Sequence, residues 1–267
     1  MDDRGPARGP PGVAVARAPL CAVLAEGNGW IVVAKPPNLL THRNDFTPRE
    51  PAAVQSVRDM IGKHVFPIHR LDRGASGCLL FSTEQSHTGA LAAAFAEGQK
   101  TYLAFVRGNF VSRERVFIDR PMADDKGIVR DARSWVTRLA GSDEPRCSLL
   151  HVAPETGRYH QVRRHVRDLT HPIIGDGDHG DHRQNKAWAA SHGVTRLGLH
   201  CATLSVPWVE PIEVRCPLFE DHDRLFRSMP WWEEALAAMP ELALAPVVVP
   251  RRGSAPAPEP RADSPDE

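Results

Sequence analysis

Apolar residues recur along the chain with two different periods. "CAVLAEGNGWIVVAKPP" (21–37) places apolar residues on both sides of a Gly-Asn-Gly turn and closes on prolines that cannot continue a ladder. It predicts two short strands. "PAAVQSVRDMI" (51–61) starts on proline and repeats apolar residues at helical spacing through Val54, Val57 and Ile61. "CLLFS" (78–82) is a short apolar run of the kind that forms a buried strand. "TEQSHTGALAAAFAEG" (83–98) predicts an Ala-rich helix, with Thr83 as N-cap and Gly98 just past its end. "KTYLAFVRG", "SWVTRLA", "RCSLLHVAP", "TRLGLHCATLSVPW" and "IEVRC" read as further strands, before helical pieces around 222–239. Strands outnumber helices and several are joined by short turns. The expected fold class is therefore α+β, a large, mostly antiparallel mixed sheet flanked by helices.

Both ends break this pattern. Residues 1–19 are rich in Pro, Gly and Arg and read as a flexible arm, and the Pro-rich stretch 241–267 reads as a disordered tail. One folded domain is expected over 20–240. An apolar fraction of 42% with 25% charged residues supports a full core there. Thirty-three basic residues balance 33 acidic ones, so bulk charge does not announce a nucleic-acid partner and only local clustering can. The five cysteines show no C-x-x-C spacing and read as reduced thiols. No run of 18 apolar residues occurs, so no membrane span is expected; the cytoplasm is the expected setting, and a monomer the expected state.

Two stretches carry candidate chemistry. "HRLDRGASG" (69–77) sets one carboxylate, Asp72, between Arg70 and Arg73 in a glycine-ended loop before the apolar run. An isolated acid of this kind is commonly a turn former. The flanking arginines suggest an acid kept anionic inside a pocket, since a contact pair at an effective dielectric near 20 is worth on the order of 4 kcal/mol, roughly 3 pK units. "TGRYHQVRRHVRDLT" (156–170), wound as a helix, puts Val162, Val166 and Leu169 on one face and His160, Arg163, Arg164 and Arg167 on the other. Such a stripe is either a solvated basic face or a site for RNA phosphates or carboxylates.

"HRLDRGASGCLLFS", "KTYLAFVRG", "TGRYHQVRRH" and "RLGLHC" resemble, in order and spacing, the RluA-type pseudouridine synthases. "QSVRDMIGKHVFPIHRLDR" and "RRHVRDLTHPIIGDGDHGDHRQNK" are similar to family members that modify uridine 65 of tRNA. The resemblance implies the pseudouridine synthase fold, no separate S4 domain, and isomerisation of a uridine in tRNA, with rRNA as the alternative substrate. It implies that Asp72 is the catalytic aspartate, that Tyr102 lies over the target uracil and that Arg163 pairs with Asp72. Arg70 would enter the RNA where the uridine leaves, and Leu199 would wall the base pocket. Arg73, Arg158, His160, Arg164 and Arg167 complete the expected RNA-binding set. The chain departs from the family pattern at Ala75, where threonine is usual, and in "AKPP" (34–37), while Tyr159 occupies a variable position.

The implied reaction breaks the N1–C1′ bond, rotates the uracil and rejoins it through C5. It needs one ionised carboxylate, attacking C1′ or removing the C2′ proton, and no cofactor or metal is expected. Two other classes remain open on the residues alone. The loop "HPIIGDGDHGDH" (171–182) offers acids and histidines to a metal-dependent phosphoesterase. A non-catalytic RNA-binding protein would use the same cations.

Overall fold

In the computed structural model, which describes residues 20–248 apart from 44 and 125, a two-residue Asn28-Gly29 turn joins β1 (Ala22–Gly27) to β2 (Trp30–Lys35). Gly29 sits at φ 82°, as such a tight hairpin requires. Helix α1 (Ala53–Ile61) follows and ends on Gly62 in the left-handed conformation. The short β3 (Phe66–Pro67) then leads through the Asp72 loop into β4 (Ser76–Ser82), every residue of which is buried. Helix α2 (Thr88–Glu97) begins later than the sequence suggests. A 3-10 turn over Gln85–His87 precedes it and its N-cap is His87, while the Thr83 amide donates to the Gly29 carbonyl at 2.9 Å. Thr83 is tied to the first hairpin and so is not the cap.

After β5 (Gln99–Arg107) come β6 (Val116–Asp119), the small β7 (Met122–Ala123) and β8 (Val129–Arg130) ribbon, and the long hairpin β9 (Arg133–Asp143) and β10 (Arg146–Pro154). Helices α3 (Gln161–Asp168) and α4 (His182–His192), strands β11 (Leu199–Val206) and β12 (Ile212–Arg215), and helices α5 (Glu220–Arg227) and α6 (Trp232–Ala238) complete the domain. The main sheet runs β1-β2-β4-β11-β5-β10-β9-β6, with β3 on β4 and β12 on β11. All of its pairs are antiparallel except β4 with β11. The α+β expectation, with a large and mostly antiparallel sheet, holds.

Two hydrophobic clusters line the sheet. One gathers Tyr102, Ala104 and Leu199 with Val162 and Val166 of α3, the apolar face that the periodicity predicts. The other gathers Leu103 and Phe105 with Trp188 of α4, Phe226 of α5 and Trp232 of α6. Alternate residues of β5 thus point to opposite sides, as a strand covered on both faces must arrange them. Packed structure continues beyond residue 240: a 3-10 turn over Pro240–Ala243 buries Leu242, and the Val247 amide donates to the Leu218 carbonyl at 2.8 Å. Residues 241–248 therefore belong to the packed domain instead of the expected tail. The arm 1–19 and the stretch 249–267 lie outside the described residues.

Among the described residues, the one parallel strand pair of the main sheet sets Ser76 beside His200 and Gly77 beside Cys201. Gly77 has φ 118°, and a Cβ there would lie 2.2 Å from the Cys201 carbonyl oxygen. No side chain fits. Gly77→Ala is expected to destabilise the protein by more than about 2 kcal/mol through combined strain and overpacking, read as a lower urea midpoint. A midpoint equal to wild type would mean that this strand contact is looser than described.

Candidate active site

Parallel strands begin at the same end of a sheet, so the start of β11 and the loop leading into β4 meet there. That loop carries Asp72. A tight turn forms across it, the Ala75 amide donating to the Asp72 carbonyl at 3.1 Å. The residue before Asp72 is held by Thr41, whose hydroxyl donates to the Leu71 carbonyl at 3.1 Å and accepts from the Leu71 amide at 3.2 Å. The residue after it is held by Lys35. This lysine is wholly buried, with Nζ 2.9 Å from the Pro36 carbonyl, 2.8 Å from that of Leu39 and 3.3 Å from that of Arg73. Burial pushes the Lys35 ammonium down to about 7, against the pull of the Cys21 and Asp72 charges. The loop is thus fastened on both sides of the acid. Ala75, buried and lacking the family's usual hydroxyl, is followed by Ser76, whose Oγ contacts His200 Nδ1 at 2.9 Å and accepts from Arg196 at 3.2 Å.

Arg163 is the cation against Asp72. It reaches in from α3 and donates from Nη1 to Asp72 Oδ2 at 3.2 Å. Its Nε and Nη2 grip Asp176 at 2.8 and 2.6 Å, and Nη2 also meets Asp178 Oδ2 at 2.7 Å. Burial works against the guanidinium charge, but the bonds to Asp176 and Asp178 and the charges of Asp176 and Asp72 outweigh it and raise the pKa. Burial likewise penalises the Asp176 carboxylate; Arg163 and the amides of His179 and Asp178 overcome this and hold it below the usual range.

The two arginines flanking Asp72 in sequence do not touch its carboxylate. Arg73 pairs with Glu50 at 2.7 Å, and Arg70 is exposed with no ion pair among the described residues. The expectation that these neighbours balance the acid is corrected. Arg73 is drawn to Glu50 instead, and the balancing charge comes from a helix 91 residues on.

Tyr102 and Leu199 share one face of adjacent strands, for Tyr102 pairs with Cys201 and Leu199 with Ala104. Both side chains are buried. Burial above all, with the nearby Cys201 and Asp72 charges, raises the Tyr102 phenol well above its usual value, so it stays neutral. Asp72, Tyr102 and Arg163, with Leu199, thus converge on one end of the β4-β11-β5 core.

The predicted basic stripe divides. Helix α3 spans only Gln161–Asp168, and "TGRYH" forms the turn leading into it. His160 is not on a helical face: it is the N-cap residue at φ 52°, and its Nε2 lies 3.9 Å from Asp72 Oδ1. Arg164 donates to the Ala123 carbonyl and Arg167 to Asp168, both away from the Asp72 carboxylate. Arg158 donates to the Asp131 carbonyl at 2.8 Å. The sequence singles out neither Lys35 nor Thr41, and it offers Asp176 and Asp178 either as metal ligands or as part of a polar, RNA-facing or structural loop. Asp176 is engaged by Arg163 and two amides, and no cluster of three or more metal-ligating side chains forms among the described residues. A cleft of about 660 Å³ between α4 and the start of β10, lined by Arg107, Arg146 and Trp188 among others, contains none of the predicted site residues.

Residues 29–168 match the family described as RNA pseudouridylate synthase. A protein of Pasteurella multocida, "tRNA pseudouridine synthase C", is 40% identical over 68% of this chain and 84% of its own length. A Yersinia pestis protein of the same name is 37% identical over 71% of this chain and 87% of its own. Among solved structures, human RNA Pseudouridylate Synthase Domain Containing 1 superposes with a TM-score of 0.61 at 23% identity, covering 78% of this chain and 86% of that one, a likeness of fold.

Lys35→Met keeps the apolar stem and removes the donors to three carbonyls; a loss of roughly 3 kcal/mol is expected. Because the folded-state pKa lies below that of free lysine, about 10.4, the unfolded chain holds the extra proton between pH 7 and 10. The lysine's contribution to stability therefore rises with pH across that window, by at most about 1.4 kcal/mol per pH unit. Urea midpoints of wild type and Lys35→Met should accordingly diverge from pH 7 to 10. Parallel profiles would refute the assignment.

Proposed function

This chain belongs to the RNA pseudouridylate synthase family, and from that premise we propose that it converts a specific uridine of tRNA, uridine 65, to pseudouridine with Asp72 as the reacting carboxylate. The observation that carries the reading is the Asp72–Arg163 contact at 3.2 Å beside a buried tyrosine and leucine. Asp72 retains partial exposure, its side chain 26% accessible, whereas Arg163 behind it is sealed. An incoming nucleoside can reach the acid without meeting the cation first.

The chemistry then follows from the residues. The uridine leaves its stack, at a cost of a few kcal/mol, and its uracil is received against Tyr102 and Leu199. Asp72 Oδ reaches the ribose, at C1′ or at the C2′ proton, while Arg163 keeps the carboxylate oriented. As the N1–C1′ bond breaks, the uracil stays captive between apolar walls, turns, and bonds through C5; the proton on C5 is then released and N1 takes one up, so the net change is an isomerisation with no electron gained or lost. Arg70, exposed and two residues before Asp72 in the chain, would occupy the gap left in the RNA. The tRNA assignment draws on the names of the relatives and on the likeness of the α3 and α4 segments; the proposed setting is the cytoplasm, and among the described residues no helix is long and apolar enough to cross a membrane.

Asp72→Asn should abolish pseudouridine formation in tRNA, by at least about 1,000-fold, while tRNA affinity changes by less than about threefold, since removing a reacting group eliminates the transition-state interaction and spares ground-state contacts. Product analysis and filter binding on the same preparations would show it, and turnover by the variant would sink the assignment. Pseudouridine mapping of tRNA and rRNA from a strain lacking the protein should show loss in tRNA alone; loss in rRNA would redirect the substrate.

A further inference from the structure

The chain has two tyrosines, and they are opposites. Tyr102 is buried, whereas Tyr159 is 60% exposed. The Tyr159 ring nevertheless has a fixed support. It lies on the His160 imidazole with centroids 3.7 Å apart and planes inclined by 21°. Its hydroxyl makes no hydrogen bond, and no other ring or cation lies against it, among the described residues.

His160 is held from several sides. Its Nδ1 contacts His179 Nε2 at 2.9 Å and stands 3.9 Å from Asp178 Oδ2, and its Nε2 stands 3.9 Å from Asp72 Oδ1. Its backbone adopts the left-handed conformation, which an L residue with a side chain takes only against a steric cost. The surrounding contacts maintain it. Burial lowers the His160 pKa, with Arg163 and His179 acting the same way against Asp72, so the ring is neutral near pH 7. The Tyr159 ring is thus stacked on a neutral imidazole, one ring removed from the reacting carboxylate.

We propose that the outer face of Tyr159 is a stacking site for the nucleobase next to the target uridine. The proposal rests on the RNA reading of the Asp72 centre and names a contact that this reading does not require. When a uridine is extruded, its neighbour loses a stacking partner. A planar, uncharged surface beside the extruded ribose can replace it, and stacking tolerates any base because each has a π face. An apolar protein ligand is disfavoured here, since the ring follows Arg158 in the chain and lies on His160, whose two nitrogens each stand 3.9 Å from a carboxylate oxygen, of Asp72 and of Asp178.

Full-length protein and a tRNA substrate carrying 2-aminopurine immediately 5′ or 3′ of the mapped uridine would test this. Wild type should alter the probe's fluorescence at one of the two positions on binding, and Tyr159→Phe should reproduce that change. Tyr159→Ala and Tyr159→Leu should both lose it and raise KM about 5- to 100-fold with kcat within twofold. The Leu variant separates the roles: it still covers His160, so wild-type KM and probe signal with leucine would mean that Tyr159 is only a cover and would overturn the proposal. Equal signals in wild type and Tyr159→Ala would also overturn it, as would an active wild type that perturbs neither probe. A wild type that forms no pseudouridine in tRNA would overturn the parent reading instead.

Discussion

Three nitrogens of one buried guanidinium each point at a carboxylate oxygen, and the site follows from that constraint. Arg163 cannot sit in the interior without partners, since an uncompensated buried charge costs several kcal/mol. Asp176 supplies two oxygens and Asp178 one, which leaves Nη1 to Asp72. A guanidinium is planar and its donor directions are fixed, so satisfying all three acids sets the relative placement of α3, the 175–181 segment and the loop before β4. Asp178 is 65% exposed and Asp176 fully buried, so the inner acid carries the bracing.

The sheet performs the same service for the acid. Thr41 and Lys35 secure the backbone on either side of Asp72, and the parallel β4–β11 contact brings Leu199 to the same end. Gly77 is the point at which the two strands come too close for a side chain. Charge and apolar wall are thus arranged before any ligand arrives, the condition under which fixed dipoles and charges contribute most to a reaction.

Strands, the apolar face of α3 and the mixed, mostly antiparallel sheet were legible because each rests on local periodicity. Asp72, Tyr102, Arg163 and Leu199 were legible through their shared resemblance, although they lie on four separate elements. What local patterns could not supply was the third dimension of the charge network. An arginine-rich segment with no acid from Gly157 to Arg167 points to an external anion, yet the carboxylates balancing Arg163 include two that lie 13 and 15 residues downstream, in a loop that folds back on it. Lys35 was hidden for the converse reason. A lysine after an apolar strand looks like a surface residue until the carbonyls around it are seen. The late start of α2 reflects the 3-10 turn over Gln85–His87 that precedes it, while Thr83 stays attached to the first hairpin through its amide.

The double fastening of the Asp72 loop has a consequence for who moves. With Leu71 and Arg73 anchored and β4 buried throughout, the backbone on either side of Asp72 has little freedom to move. On the proposed role of Asp72, it is the RNA that would deform to bring its nucleoside to the acid. On that same reading, selection among RNAs would include a mechanical component, since a segment that deforms easily at the target costs less energy to bring in than a stiff one.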